Sequence, residues 1–173
     1  FQENVSKFLE DQANLDVIRA ITEGNAGETQ KEINSGLVNL GLSALLITEE
    51  FGGLGLDLLF ATAVSQCLGG GIAPISYTGS FVMAPLAISH GGSKKQKEEY
   101  LTKMSENSIR FGVGFSEYIG ARDGSATEIN DYTISGRDFF ILDAKDASHL
   151  MFAVCSGVIG IVPSDSSGVE LII

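Results

Sequence analysis

GLSALLITEEFGGLGLD, residues 41–57, sets out in order a packed connection, a turn and a helix start. The apolar run Leu45-Leu46-Ile47 forms a short packed connection. It leads through Glu49-Glu50 into Phe51-Gly52-Gly53-Leu54-Gly55. Glycine reaches positive φ without steric cost, so this cluster reads as a turn. Asp57 then stands as the N-cap of a helix running to about Leu68, with Leu58, Ala61, Val64 and Leu68 inward. Gly69, Gly70 and Gly71 stop that helix.

Outward from this stretch, both flanks read as helical up to about residue 108. Val5, Phe8, Leu9 and Gln12 recur at helical spacing, and Leu15, Ile18, Arg19 and Thr22 continue the pattern less cleanly. Gly24 and Gly27 end that element. A second helix covers 28–40 with Ile33, Leu37 and Leu40 inward and Gly41 just past its end. Downstream, residues 80–89 form an apolar helix in which Pro85 kinks the chain or starts a new turn after Ala84. Gly91 and Gly92 end it. Ser93-Lys94-Lys95-Gln96 is a capping box, so a helix follows over 94–104.

Near Ile109 the period changes to two. Phe111, Val113 and Phe115 alternate with Gly112, Gly114 and Ser116. Strands are expected at 132–136 and 139–142 around a Gly136 turn, then a hairpin of 149–155 and 158–162 over Ser156-Gly157, then a last strand at 169–173. Helices first and strands second imply a segregated α+β chain: an all-α domain over 1–108, and an antiparallel β-domain over 109–173, incomplete at its C-terminal end. The seam falls at 105–110.

Eleven basic against 22 acidic residues give a net charge of −11, which disfavours nucleic acid and anionic membranes as partners. A hydrophobic content of 44% supplies a core and excludes a disordered chain. Cys67 and Cys155 lie in apolar runs and read as buried free thiols, which suits a reducing, cytoplasmic compartment. No window approaches the ~18 apolar residues of a membrane span, and FQENVSKFLED lacks the parts of a signal peptide. The absence of an initial Met, and the ending on Leu171-Ile172-Ile173 within an expected strand, read as truncation at both ends.

Catalytic motifs are missing from the helical half. His90 precedes two glycines at a helix end, where capping or a dipole contact accounts for it. His149 opens a strand with no second metal ligand in view, so no metal is expected. Glu49-Glu50 reads as a solvated loop. Gly69-Gly70-Gly71 follows a helix and lacks the Lys-Ser/Thr of a phosphate loop. No Gly-x-Gly-x-x-Gly is present, which removes a Rossmann nucleotide site.

The order of residues 41–57, the capped GGSKKQKEEYL at 91–101 and FGVGFSE at 111–117 resembles the acyl-CoA dehydrogenase family. The resemblance implies that Phe115-Ser116-Glu117 lies where the family's first β-domain strand ends, its Ser hydroxyl and nearby backbone N–H groups bonding the pyrimidine edge of FAD. Asp123-Gly124-Ser125-Ala126 is the nearest match to the Gly-Ser-Asp turn beside the substrate thioester, so Ser125 is the substrate-binding candidate. Phe140 takes the place of the aromatic, and Leu142 that of the Thr, which contact the flavin ring. Thr48 and Tyr118 stand where the family usually has Pro.

On this resemblance the cofactor is FAD and the substrate an acyl-CoA. The electron acceptor is electron-transferring flavoprotein or a similar protein, and the assembly is a homo- or hetero-oligomer, dimer or tetramer. The reaction is α,β-dehydrogenation of the thioester. Its base lies in a C-terminal helical domain beyond these residues, so no catalytic residue is assigned and this chain by itself is expected to be inactive. Ala73-Pro74 followed by Ser80-Phe81-Val82 also resembles a divergent branch that often pairs two unlike subunits, one without its own flavin contacts. Two alternatives therefore stay open: a non-catalytic subunit supporting a partner, and a flavin monooxygenase or nitroalkane oxidase, which share the fold.

Overall fold

The computed structural model describes residues 1–116, 118–120, 126–154 and 157–172. The expected Ser125, Glu117, Asp123 and Cys155 lie outside the described residues. Helices come first: α1 Gln2–Gln12, α2 Leu15–Thr22, α3 Gly27–Asn39, α4 Leu58–Gly70, α5 Ala84–Gly91 and α6 Lys94–Ser105. The strands follow: β1 Phe111–Gly114, β2 Ala126–Asn130, β3 Thr133–Arg137, β4 His149–Ala153 and β5 Ile159–Pro163. None of these helices is long and apolar enough to cross a membrane.

The helix boundaries are set by short polar devices. The Asn14 side chain accepts the N–H groups of Asp16 and Val17 to open α2. Asp57 does the same for Leu59 and Phe60 at α4, and Ser93 with Gln96 forms both halves of a capping box at α6. Each satisfies N–H groups that the first helical turn leaves without partners. Gly41 follows α3 in the left-handed region, at φ 96°. The glycine triplet stops α4 later than expected, since Gly69 and Gly70 remain helical and only Gly71 caps it. Leu58, expected inward, is 54% exposed. It is the first residue of α4, where the chain has yet to turn its apolar face to the core. Gly27 opens α3 rather than closing α2.

Of the two outcomes expected at Pro85 within the helix over 80–89, the structure shows a new helical turn starting at Ala84. Thr78–Met83 is a π-helical segment that passes directly into α5. Pro85 sits in the first turn of α5, where its missing N–H costs nothing. Val5, Leu9, Ile33, Leu37, Leu45, Val64 and Leu68 build one core between the early helices. A second core joins Ile47, Ala84, Ile88, Leu101 and Met104 of the helical half to Phe111, Val113 and Met151 of the sheet. The turn at 51–55 is pinned to α6: the Ser105 hydroxyl donates to the Phe51 carbonyl at 2.9 Å, and the Ser43 hydroxyl donates to the Ser105 carbonyl at 3.0 Å.

The strands correct four expectations. The sheet order is β1-β4-β5, with β4 antiparallel to β5 but β1 parallel to β4. A period of two does not distinguish parallel from antiparallel pairing. The long connection from Gly114 to His149 carries a separate hairpin and brings the chain back in the same direction, as a parallel pair requires. That hairpin is β2–β3, turning at Asp131 and Tyr132. Gly136 is thus inside β3, opposite Thr127, and is no turn. Ile129 and Ile134 of the hairpin lie over Gly160 on β5, where a Cβ would come within 2.7 Å of Ile134. Residues 139–142 form no strand beyond a single antiparallel bridge of Leu142 to Val113. Residues 169–172 are not in a strand.

His149 ties α6 to the sheet. Its ring lies 5.3 Å from that of Phe111 and 5.8 Å edge-on from that of Tyr100. Burial and Lys103 lower its pKa, against smaller opposing pulls from Asp165 and Glu99. The fold therefore favours neutral imidazole. Its contribution is present above the ordinary His range and is lost as pH falls through the depressed folded value. Thermal melts on either side of that range should show acid destabilisation that His149→Phe reduces; an unchanged pH slope in the variant would refute this role.

Candidate functional site

The four described candidates lie on two neighbouring segments. Phe115 and Ser116 continue β1 past Gly114, and Phe140 and Leu142 lie on the irregular stretch that runs beside it. The Leu142 N–H donates to the Val113 carbonyl at 3.0 Å, and the Val113 N–H donates to the Leu142 carbonyl at 2.9 Å. The Ser116 hydroxyl donates to the Phe139 carbonyl. The structure thus joins residues 113–116 to 139–142 at two points, Val113 with Leu142 and Ser116 with Phe139. Gly114 permits this approach, because a Cβ there would fall 2.4 Å from the Asp138 carboxylate. Asp138 in turn accepts the N–H of Phe139 at 2.8 Å.

Exposure separates the candidates. Ser116 is 7% exposed and its hydroxyl points inward. Phe115 is half-buried against the second core. Phe140 adopts φ 54° and is 72% exposed. A left-handed backbone is strained for an aromatic residue, and a ring left in water forgoes burial. Tyr118 and Ile119, just past Ser116, are also exposed. Leu142 is half-buried, and its side chain carries no polar group.

One residue absent from the sequence reading organises this region. Asp143, also left-handed at φ 59°, accepts the Ser80 N–H at 2.9 Å on Oδ2. The N–H groups of Gly79 and Tyr77 and the charge of Arg110 also favour its carboxylate, but burial prevails and raises its pKa. Ser80 is buried, and its hydroxyl donates to the Phe111 carbonyl at 2.7 Å. The only sequence signal was an acidic residue directly after an apolar run. Among the described residues no group of three or more His, Cys, Asp or Glu could hold a metal ion.

Residues 1–108 match the family model for the acyl-CoA dehydrogenase N-terminal domain. The chain belongs to the acyl-CoA dehydrogenase family. The mitochondrial long-chain specific acyl-CoA dehydrogenase of Mus musculus is 29% identical over 155 residues, covering 82% of this chain and 34% of the relative. The mitochondrial isovaleryl-CoA dehydrogenase of Bos taurus is 24% identical over 158 residues, covering 87% of this chain and 37% of the relative. The chain thus spans about a third of the length of these curated relatives. The solved acyl-CoA dehydrogenase complexed with FAD from Bacillus anthracis superposes with a TM-score of 0.72 at 19% identity. That match covers 98% of this chain and 32% of the other, and shows a shared fold.

Family membership also makes sense of Thr48. Standing where the family resemblance implies Pro, it adopts φ −66°, an angle that a proline ring also takes. Within this acyl-CoA dehydrogenase fold, the helical half presents the Thr78–Met83 segment to β1, and β1 presents Ser116 to the stretch carrying Phe140.

Proposed function

We propose that the whole protein is an FAD-dependent acyl-CoA dehydrogenase subunit that desaturates an acyl-CoA thioester between Cα and Cβ. The observation that carries this reading is the exposed Phe140 ring on the segment tied to Ser116. An aromatic ring, with Tyr118 and Ile119 close by in sequence on the Ser116 side, gives a flat conjugated ligand apolar surface to cover. The donor set fits FAD as well. With its proton directed to Phe139, the Ser116 oxygen keeps lone pairs that can accept an N–H from the pyrimidine edge.

Bound FAD would supply the hydride-accepting chemistry at its N5. The residues of this chain hold the ring, exclude water from one side of it and fix its polar edge. Residues 1–108 act as the helical domain and 109–173 as the β-domain. The base for the α-proton belongs, in this reading, to the family's C-terminal helical domain, and Ser125 to the thioester side. Electron-transferring flavoprotein or a similar carrier takes the electrons, and the subunit works in a homo- or hetero-oligomer.

A second reading has one specific observation behind it. Leu142 offers no hydroxyl where the family bonds the flavin, which favours a subunit that supports a partner's site rather than its own. Purifying the full-length protein separates the two: bound flavin absorbance together with acyl-CoA-dependent reduction of an artificial acceptor supports the enzyme, and a colourless, inactive protein refutes it. In the full-length protein, Ser116→Ala should weaken FAD binding by ~0.5–1.5 kcal/mol, the worth of one neutral hydrogen bond. FAD titration would remove Ser116 from the site if affinity were unchanged. Residues 1–173 assayed alone with acyl-CoA and added FAD should show no turnover, because proton abstraction needs a base in hydrogen-bond range of the α-carbon.

A further inference from the structure

We infer that Asp143 is a positioning residue for the flavin edge, holding the Phe140 segment against the helical half; this rests on the flavin reading above. Phe140 is exposed and its backbone is left-handed. What fixes its segment is attached at either end. On the N-terminal side, the Phe139 carbonyl takes the Ser116 hydroxyl and the Phe139 N–H is held by Asp138. On the C-terminal side, Leu142 pairs with Val113, and Asp143 crosses the seam to the Ser80 N–H.

That crossing is built at close quarters. Gly79 packs so near that a Cβ there would lie 3.0 Å from Asp143 Oδ2 and 3.1 Å from the Leu142 carbonyl. The N–H groups converging on the carboxylate belong to the start of the Thr78–Met83 π-helical segment, where helical backbone has unpaired donors. The same segment is anchored to β1 through the Ser80 hydroxyl and the Phe111 carbonyl. Asp143 therefore completes a loop of polar contacts: helical segment to β1, β1 to Leu142, and Asp143 back to the helical segment. Removing the carboxylate opens that loop at the end nearer Leu142 and frees the Phe140 segment to move, while both apolar cores stay intact.

An amide is the informative replacement. Asparagine keeps an oxygen to accept the Ser80 N–H and carries no charge to bury, whereas alanine removes the acceptor. In the full-length protein, Asp143→Ala should speed hydrogen exchange at the Ser80 amide and across 138–142, with the amides of α3 and β4 unchanged. FAD affinity, read by quenching of flavin fluorescence, should fall roughly tenfold, and Asp143→Asn should restore both readouts. Unchanged exchange at Ser80 and 138–142 in the alanine variant would overturn the tether. Faster exchange with unaltered FAD affinity and quenching would leave Asp143 a purely structural clasp and overturn the positioning role. Wild-type protein that binds no FAD, while alanine still speeds exchange, would instead sink the flavin reading and leave the tether standing.

Discussion

Phe111→Ala is expected to lower the unfolding free energy by about 3–5 kcal/mol, the range for emptying a buried aromatic site. Phe111 is fully buried where the two halves meet. Its ring lies 5.7 Å edge-on from Tyr100 of α6 and 5.3 Å from His149 of β4. It shares the second core with Ile47, Leu101 and Met104. The cavity would have walls from α6, β4 and the connection before the glycine turn, and no single element could move in to fill it. Domains are stable by only about 5–15 kcal/mol, so one such loss is a large fraction of the total. Denaturant titration reads it directly. A cost below about 1 kcal/mol would mean that the seam is not a shared core.

Gly53→Ala should cost about 3 kcal/mol, the upper end for forcing atoms into a packed site. A Cβ at Gly53 would lie 1.8 Å from the Ile47 carbonyl oxygen and 2.6 Å from the Ile47 Cβ. The obstacle is largely backbone, so no rotamer change relieves it. The turn would have to open, breaking the bonds from the Gly53 N–H to the Thr48 carbonyl and from the Gly55 N–H to the Ile47 carbonyl. Gly69→Ala is the matched control. A Cβ there meets nothing within 4 Å, and alanine in a helix is favoured over glycine by ~0.5–1 kcal/mol. Thermal melting of the two variants should move in opposite directions; a Gly53→Ala protein as stable as the wild type would show that the close approach at Ile47 is not obligatory.

Local signals were legible wherever a residue acts on its own neighbours. Asp57, Ser93 with Gln96, and Gly41 set helix ends through contacts a few residues away, and spacing alone identified them. The helical period brought out Ile33, Leu37, Ala61, Val64 and Leu68, all buried. The switch to a period of two located β1 and the β4–β5 hairpin, and the order of helices and strands implied the α+β class. The word order from residue 41 to residue 117 was enough to point to the family.

Contacts between distant segments were not legible. Alternation does not encode strand direction, so the parallel β1–β4 pairing emerged only from the path of the connection between them. Leu58 looks like any other inward leucine until the start of α4 is placed at the surface. Phe139-Phe140-Ile141-Leu142 has strand composition, but Asp138, Ser116 and Asp143 claim its backbone or its ends from outside and leave only Leu142 paired to β1. In the candidate site, spacing and composition go no further than the residue types that are present. Packing of distant segments directs the Ser116 proton to Phe139, leaves Phe140 exposed and brings Asp143 to Ser80, 63 positions away. A hydrogen bond between segments so far apart depends on where the packed cores place their backbones, and that placement is a property of the folded chain rather than of any stretch within it.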